Sequence, residues 1–215
     1  MERAGERIPM RDLIILSAGR HGEEIAEIVK RINRVKKTWR LLGFLALDEK
    51  WVGQNRNGYR VLGTAGQLSK FPKAFLVPDH KWTFLSELPR RRLTSLIDPS
   101  SFVSPSARLG LGCVIYPHCF IGDKAKISDF VFCLSHCTIN HDVQLGDRVI
   151  LASGVSLAGY VRVEPGCYLG QASSCREKIT IGQGSLVGMG SVVVKDVPAH
   201  TVVAGNPSKK LKQRF

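Results

Sequence analysis

The amino-acid sequence predicts a small α/β domain in residues 1–96, followed by a parallel β-helix with a C-terminal tail in residues 97–215. Apolar residues return every sixth position through the second half, whereas the first half alternates between strand-like and helix-like patterns. The chain has 215 residues, of which 44% are hydrophobic and 23% charged. This composition is typical of a globular protein, and the length is enough for two small domains.

The front half begins with a buried strand pattern at Arg11–Ala18, followed by an apolar stripe at helical spacing formed by Ile25, Ile28, Val29 and Ile32. A second strand is predicted at Leu41–Leu47, and a turn-rich loop carries Asn57-Gly58. The pattern also favours four shorter segments, the strands Tyr59–Leu62 and Ala74–Val77 and the helical pieces Gln67–Lys70 and Trp82–Arg92. Strand–helix–strand alternation is typical of a parallel sheet.

A glycine-containing turn, Ser17-x-Gly19-x-x-Gly22, lies between the first strand and the helix. It resembles a dinucleotide-binding fingerprint whose first glycine is replaced by Ser17. The domain is about half the size of a full dinucleotide fold, so we expect one nucleotide or nucleotide sugar there, with its phosphates at the helix N-terminus. A tight turn without a ligand is the alternative.

The β-helix prediction depends on an apolar position that returns every sixth residue from Ile97 to Val193. Fifteen of these 17 positions hold Ile, Leu or Val, and the others hold Cys133 and Cys175. A small or β-branched residue follows four positions later in nearly every repeat. This period is typical of a chain wound as a triangular prism, with one short parallel strand on each side and about 18 residues per turn.

All six cysteines lie at interior repeat positions, where cysteine acts as a small apolar residue. The chain has no Cys-x-x-Cys pair, and we expect neither a disulfide framework nor a thiolate metal site.

The net charge is +13, and residues 1–96 hold 19 Lys and Arg against 10 Asp and Glu. A basic front half favours an anionic partner, which could be a phosphorylated small molecule, an anionic polysaccharide, an acidic membrane surface or nucleic acid, although a solvated basic surface gives the same pattern. No nucleic-acid-binding signature accompanies the charge. No apolar run is long enough to span a bilayer and the start does not resemble a secretory signal, so we expect a soluble cytoplasmic protein.

Three histidines, His118, His136 and His141, fall close together in the repeats. His118 and His136 are 18 residues apart, so they are expected to stack on neighbouring turns at about 4.8 Å. A neutral histidine suits general-base catalysis near pH 7. For His118 a surface position on a turn is the simpler interpretation, and for His136 both remain open.

The order of motifs resembles the bacterial sialic-acid O-acetyltransferase-like sugar acyltransferases, whose relatives include the UDP-4-amino-sugar N-acetyltransferases. The motifs that carry the resemblance span nearly the whole chain: Gly19-Arg20-His21-Gly22, Gly43-Phe44-Leu45, Val61-Leu62-Gly63, Asn140-His141-Asp142, Leu157-Ala158-Gly159, Val187-Gly188-Met189-Gly190 and Val203-Ala204-Gly205-Asn206-Pro207. The resemblance implies a left-handed β-helix of hexapeptide repeats and a homotrimer. It also implies acetyl transfer from acetyl-CoA to an amino or hydroxyl group of a nucleotide-linked amino sugar or sialic-acid-type sugar for surface glycans.

Site residues follow from the same resemblance. His141 would be the general base in direct attack on the thioester, Asp142 its polarising neighbour, and the N–H of Gly159 a donor to the oxyanion. The nucleotide sugar would meet Gly19, Arg20, His21, Gly22 and Asp48. Coenzyme A would lie along Gln171, Ala172, Met189 and Gly190, with its nucleotide end near Pro207, Lys209 and Lys210. No metal is expected.

The chain departs from the family's pattern at several positions. Leu134-Ser135-His136 stands where Asn-Thr-Gly is common, Ile150 where a second histidine is common, and Tyr160 where a second glycine follows Gly159. The acidic residue after the second strand is displaced to Asp48.

Two other functions remain open. The spacing Leu134-x-His136-x4-His141 is similar to that of the γ-class carbonic anhydrases, whose three histidines hold zinc, although Ser100 stands where their third histidine is expected. The second alternative function is a non-catalytic binding scaffold, because solenoids present long surfaces to which partners bind. Stabilisation by acetyl-CoA, zinc binding that requires His136, or neither, separates the three.

Overall fold

The computed structural model describes residues 9–81 and 83–213. The α/β unit is a five-stranded sheet in the order β3-β4-β2-β1-β5, with β3 antiparallel to β4 and the other neighbours parallel. Its regular elements are β1 (Arg11–Leu16), α1 (Arg20–Val35), β2 (Trp39–Ala46), β3 (Asn55–Arg56), β4 (Tyr59–Thr64) and β5 (Phe75–Pro78). The predicted strands and helix are confirmed, and no strand end is shifted by more than two residues.

Helix α1 forms because its apolar stripe finds a surface to cover. Ile25, Ile28 and Val29 are buried against the sheet and the neighbouring β-helix. Gly22 permits the close approach of the first turn to β1, since a Cβ there would lie 2.3 Å from the carbonyl oxygen of Ser17. The fingerprint glycine therefore has a packing role.

The predicted helical pieces are short 3₁₀ turns at Ala65–Lys70, Leu85–Glu87 and Arg90–Arg92, and Trp82, where the second prediction began, lies outside the described residues. A further 3₁₀ turn spans Glu49–Trp51. The β3–β4 hairpin was not predicted. Its turn residues Asn57 and Gly58 both have positive φ, 50° and 85°, as a two-residue hairpin turn requires.

The β-helix consists of two-residue strands, which pair in parallel with the strand 18 residues away. Between residues 96 and 193 they are β6 (Leu96–Ile97), β7 (Phe102–Val103), β8 (Arg108–Leu109), β9 (Val114–Ile115), β10 (Phe120–Ile121), β11 (Lys126–Ile127), β12 (Phe132–Cys133), β13 (Thr138–Ile139), β14 (Gln144–Leu145), β15 (Ile150–Leu151), β16 (Ser156–Leu157), β17 (Arg162–Val163), β18 (Tyr168–Leu169), β19 (Ser174–Cys175), β20 (Thr180–Ile181), β21 (Leu186–Val187) and β22 (Val192–Val193). Every predicted six-residue position is the second residue of one of these strands, which confirms the repeat.

Three sheets form the faces of the prism. Face 1 contains β6, β9, β12, β15, β18 and β21, face 2 contains β7, β10, β13, β16, β19 and β22, and face 3 contains β8, β11, β14, β17 and β20. Face 1 continues into β23 (Thr201–Ala204) and the antiparallel β24 (Lys209–Gln213). The connecting turns form three edges, named here by the faces they join.

The interior is a continuous apolar column, and all six cysteines are buried in it outside any disulfide. Burial raises the pKa of Cys113 to about 11 and that of Cys175 to about 12. These thiols are therefore neutral at physiological pH, as packing residues should be.

The α/β unit packs on face 1. Phe132 and Val114, on the outer side of that face, belong to the same apolar cluster as α1. An ion pair crosses the junction, in which Arg31 Nη2 donates to Asp98 Oδ1 at 3.0 Å and only the Asp98 side chain is fully buried. Tyr116 adds a hydrogen bond to Glu24 at 3.0 Å. No helix within the described residues is both long and apolar enough to cross a membrane.

Candidate active site

The three predicted histidines occupy two different edges of the β-helix. His118 and His136 lie on edge 1–2 with their rings stacked at a centroid distance of 5.1 Å and an angle of 22°, as their 18-residue spacing predicts. His141 lies on edge 2–3, in the turn between β13 and β14. The backbone is left-handed at His118, His136 and Asp142, as it is at the equivalent position of most turns.

His141, Asp142 and Gly159 lie together on edge 2–3. The carboxylate of Asp142 is 3.0 Å from Nδ1 of His141. The imidazole rests on Gly159, where an added Cβ would lie 2.7 Å from Nε2 and 2.6 Å from Cε1. The ring of Tyr160 meets the imidazole edge-on at 5.2 Å. The sequence analysis named the first three residues, and Tyr160 only as a departure from the family.

This arrangement determines which imidazole nitrogen is available. A carboxylate only accepts hydrogen bonds, so the proton of a neutral His141 ring is placed on Nδ1, facing Asp142. Nε2 then carries the lone pair, and it has no hydrogen-bond partner within the described part of the chain. The side chain is 54% exposed. The nitrogen can therefore accept a proton from a ligand.

A basic groove of about 390 Å³ adjoins this cluster. It is lined by Asp142 and Tyr160 together with Ser106, Arg108, Lys124, Lys126 and Gln144. Apart from Asp142, these polar residues were not predicted as site residues. The available signal was a cation or amide in the residue just before the apolar position at intervals of 18 residues.

The residues predicted for coenzyme A lie along edge 1–2. Gln171 and Met189 line a second groove of about 390 Å³, whose other lining residues are mainly apolar or small: Leu134, Ala152, Ser153, Tyr168, Gly170, Leu186, Val187 and Gly188. Gly190 donates its N–H to the Gln171 carbonyl oxygen at 2.8 Å, and Ala172 occupies the same edge with a φ of 56°. Pro207 precedes β24, and Lys209 and Lys210 are exposed on that strand, which β23 separates from β21.

Two of the residues predicted for the nucleotide sugar line one small cavity. Gly19 and Asp48 lie with Ser17 and Lys81 around about 170 Å³ at the carboxyl ends of β1, β2 and β5. Asp48 also accepts a hydrogen bond from the Lys50 N–H and pairs with that lysine's ammonium group, and these contacts lower its pKa. The cavity is where a parallel sheet places a ligand.

The other predicted residues of this turn point elsewhere. Arg20 pairs with Glu23 at 3.0 Å beside a separate acidic hollow, and Gly22 is buried against Ser17. His21 lies at the junction with face 1, 3.1 Å from Glu24 and edge-on to Phe132.

His80 was not predicted as a site residue. It follows β5 and its ring meets that of His21 edge-on at 4.6 Å. Its Nδ1 is buried without a hydrogen-bond partner in the described structure. Burial, aided by the neighbouring His21, lowers its pKa. No periodic pattern marks this residue, because only the docking of the two units brings it to His21.

The zinc alternative finds no support within one chain. His141 is separated from the stacked His118 and His136 by face 2, and the described residues contain no group of three or more His, Cys, Asp or Glu able to hold a metal ion.

Solved structures share this architecture over nearly the whole chain. The acetyltransferase domain of PglB from Neisseria gonorrhoeae matches with a TM-score of 0.80 and 26% identity, over 94% of this chain and 100% of that one. PerB from Caulobacter crescentus, crystallised with CoA and GDP-perosamine, matches with a TM-score of 0.83 and 26% identity, over 95% and 98%. Over nearly its whole length the chain is thus similar to hexapeptide-repeat sugar acetyltransferases.

Curated relatives match over shorter segments. A stretch of 67 residues is 40% identical to serine acetyltransferase 2 of Arabidopsis thaliana, covering 27% of this chain and 21% of that protein. A stretch of 56 residues is 45% identical to a tetrahydropyridine-dicarboxylate N-acetyltransferase of Enterococcus faecalis, covering 26% and 24%. The chain thus spans less than a third of the length of these relatives. It matches no protein-family model.

Proposed function

We propose that the protein transfers an acetyl group from acetyl-CoA to an amino or hydroxyl group of a nucleotide-linked or sialic-acid-type sugar used for surface glycans. The observation that carries this proposal is the imidazole of His141, which is oriented by Asp142 and seated on Gly159, beside a groove lined by Asp142 and Tyr160. The solved relatives support it, since PerB was crystallised with CoA and a nucleotide sugar.

The proposed reaction needs a base for the acceptor, a hydrogen-bond donor for the oxyanion and an acid for the leaving thiolate. Nε2 of His141 takes the proton of the acceptor N–H or O–H as that atom attacks the thioester carbonyl. The N–H of Gly159, which has no acceptor among the described residues, is suited to stabilise the oxyanion. The C–S bond then breaks, and the imidazolium returns its proton to the leaving thiolate of coenzyme A. Asp142 stabilises the transient positive charge on the ring.

The parts of this site lie on different sides of one chain. The proposed sugar-nucleotide cavity belongs to the α/β unit on face 1, the proposed coenzyme A groove lies on edge 1–2, and His141 lies on edge 2–3. One copy therefore does not bring base, acyl donor and acceptor together. We infer a homotrimer in which His141 of one copy faces the groove of its neighbour.

A complementation experiment tests this arrangement. His141→Ala and Met189→Asp chains, each inactive alone, should regain activity when co-expressed, because mixed oligomers contain some sites with both groups intact. Mixed oligomers without activity would show that the base and the groove belong to the same copy.

Turnover tests the reaction. The purified chain should release coenzyme A from acetyl-CoA in the presence of a panel of nucleotide-linked amino sugars and sialic-acid-type sugars. His141→Ala should lower kcat by at least about 100-fold with unchanged acetyl-CoA affinity. His200→Ala, an exposed histidine on edge 3–1, is the control. Near-normal turnover by His141→Ala would remove His141 from the base role.

A further inference from the structure

Face 3 presents a ladder of polar side chains toward solvent beside His141. Arg108, Lys126 and Gln144 are the outward residues of β8, β11 and β14, and parallel pairing places them directly beside one another. Neighbouring strands are about 4.8 Å apart, so this distance separates the backbone positions from which the Arg108 and Lys126 side chains extend. All three line the basic groove that reaches Asp142 and Tyr160.

The charges of Arg108 and Lys126 are not neutralised by any acidic side chain within residues 9–81 and 83–213. Neither side chain forms an ion pair within the described residues, whereas Lys124, on the same groove, lies 3.7 Å from Asp123. The acidic residue that lines the groove, Asp142, is engaged by His141. Two like charges side by side repel each other, so an anion placed between them is favoured over the empty groove.

We propose that Arg108 and Lys126 form a subsite for an anionic group of the acceptor sugar, with Tyr160 as the wall against which the sugar ring lies. This rests on the proposed function, and it makes the acceptor an acidic sugar unit. A guanidinium binds carboxylate or phosphate oxygens in pairs, and the ammonium group adds a second charge. The ring of Tyr160 is half-exposed and offers an apolar surface within reach of the imidazole.

The position of the ladder assigns it to the acceptor. Cations are absent from the residues that line the groove on edge 1–2, and that groove lies across face 2. Arg108 and Lys126 belong to the turns that precede the turn of His141 in the chain. An anion held there places its sugar beside Asp142 and Tyr160, the two groove residues that contact the His141 ring.

Direct binding tests the subsite without turnover. Isothermal titration calorimetry on the full chain at low salt would use two probes, glucuronate for a carboxylate and glucose 1-phosphate for a phosphate. The double variant Arg108→Gln/Lys126→Gln should bind the preferred probe at least about tenfold more weakly than the wild type. Arg162→Gln is the matched control, since Arg162 is the next outward residue on face 3 but lies outside the groove.

The preferred probe identifies the source of the anion, a sugar carboxylate or a nucleotide phosphate. Equal affinity in all three proteins, or binding of neither probe by the wild type, would overturn the subsite. In turnover assays the double variant should raise the acceptor KM about tenfold and leave the acetyl-CoA KM unchanged. An unchanged acceptor KM in an active enzyme rejects the subsite alone, whereas absence of acetyl transfer to every sugar rejects the proposed function.

Discussion

The imidazole of His141 lies directly on Gly159, with no room for a methyl group between them. The two residues are 18 positions apart and so occupy the same place on successive turns. The backbone of Gly159 is not left-handed, so the requirement for glycine there comes from the histidine ring rather than from φ. The stacking of turns thus shapes the seat of the proposed base.

Gly159→Ala should displace the His141 ring and lower kcat by about 10–100-fold, because proton transfer depends on the placement of Nε2. The fold should persist, since the clash is with the side chain of a half-exposed residue. Steady-state kinetics and the Tm measure the two effects. Gly66→Ala, which has open space around it, is the control and should leave kcat unchanged. A fully active Gly159→Ala enzyme would contradict the proposed position of the base.

Asp142→Asn should lower kcat by about 10–100-fold while the KM for acetyl-CoA stays unchanged. The amide keeps the shape of the side chain, but it no longer holds a negative charge beside the protonated ring. Asp123→Asn, one turn earlier on the same edge, is the control for loss of an acidic residue. Equal losses in both variants would indicate a general effect of charge.

The lowered pKa of His80 predicts a dependence of stability on pH. Unfolding restores the ordinary value of about 6.5, so the unfolded chain binds the proton more tightly. The contribution of a neutral His80 to stability is complete above this value and is lost as the pH falls below it. The groups facing His80 that modulate this loss are His21, Asp79 and Lys81.

His80→Phe retains an aromatic ring and removes this titration. The Tm of the variant should fall less than that of the wild type between pH 7.5 and 5.5. His200→Phe, an exposed site, should follow the wild type. Parallel curves for wild type and His80→Phe would mean that His80 does not couple protonation to folding.

Asp98→Asn should destabilise the junction between the two units. Burial would raise the pKa of Asp98, but hydrogen bonds from Arg31 and Ser100 outweigh it and lower the pKa. The carboxylate therefore contributes stability at pH values above the pKa of about 3.9 that it has in the unfolded chain. This contribution is lost as the pH falls through the lower pKa of the folded chain. At pH 7 we expect the Tm of the variant to fall by about 3–6 °C.

Asp12→Asn is the matched control, because the Asp12–Arg40 pair is more exposed and should change the Tm little. The difference in Tm between the wild type and Asp98→Asn should also be smaller at pH 3 than at pH 7. A difference that persists there would show that the ionised carboxylate does not stabilise the junction.

Local patterns predicted most elements because the residues that define them are close in sequence. The six-residue period from Ile97 to Val193 specifies the strands one by one, and the stripe on α1 specifies its buried face. The hairpin at Asn57 was missed because β3 has only two residues and no alternation. His80 was missed because its partners, His21 and Phe132, come from other segments.

The repeat period alone dictates the prism, since apolar side chains at every sixth residue are buried together only when the chain turns at regular intervals. It also places His118 beside His136 and His141 beside Gly159, because residues 18 apart occupy equivalent places on neighbouring turns. Three-dimensional packing was needed to show that the α/β unit covers face 1, that His141 stands on another edge, and that Arg108 and Lys126 line its groove. These relations depend on contacts between segments distant in sequence and on the side of the chain that remains in water.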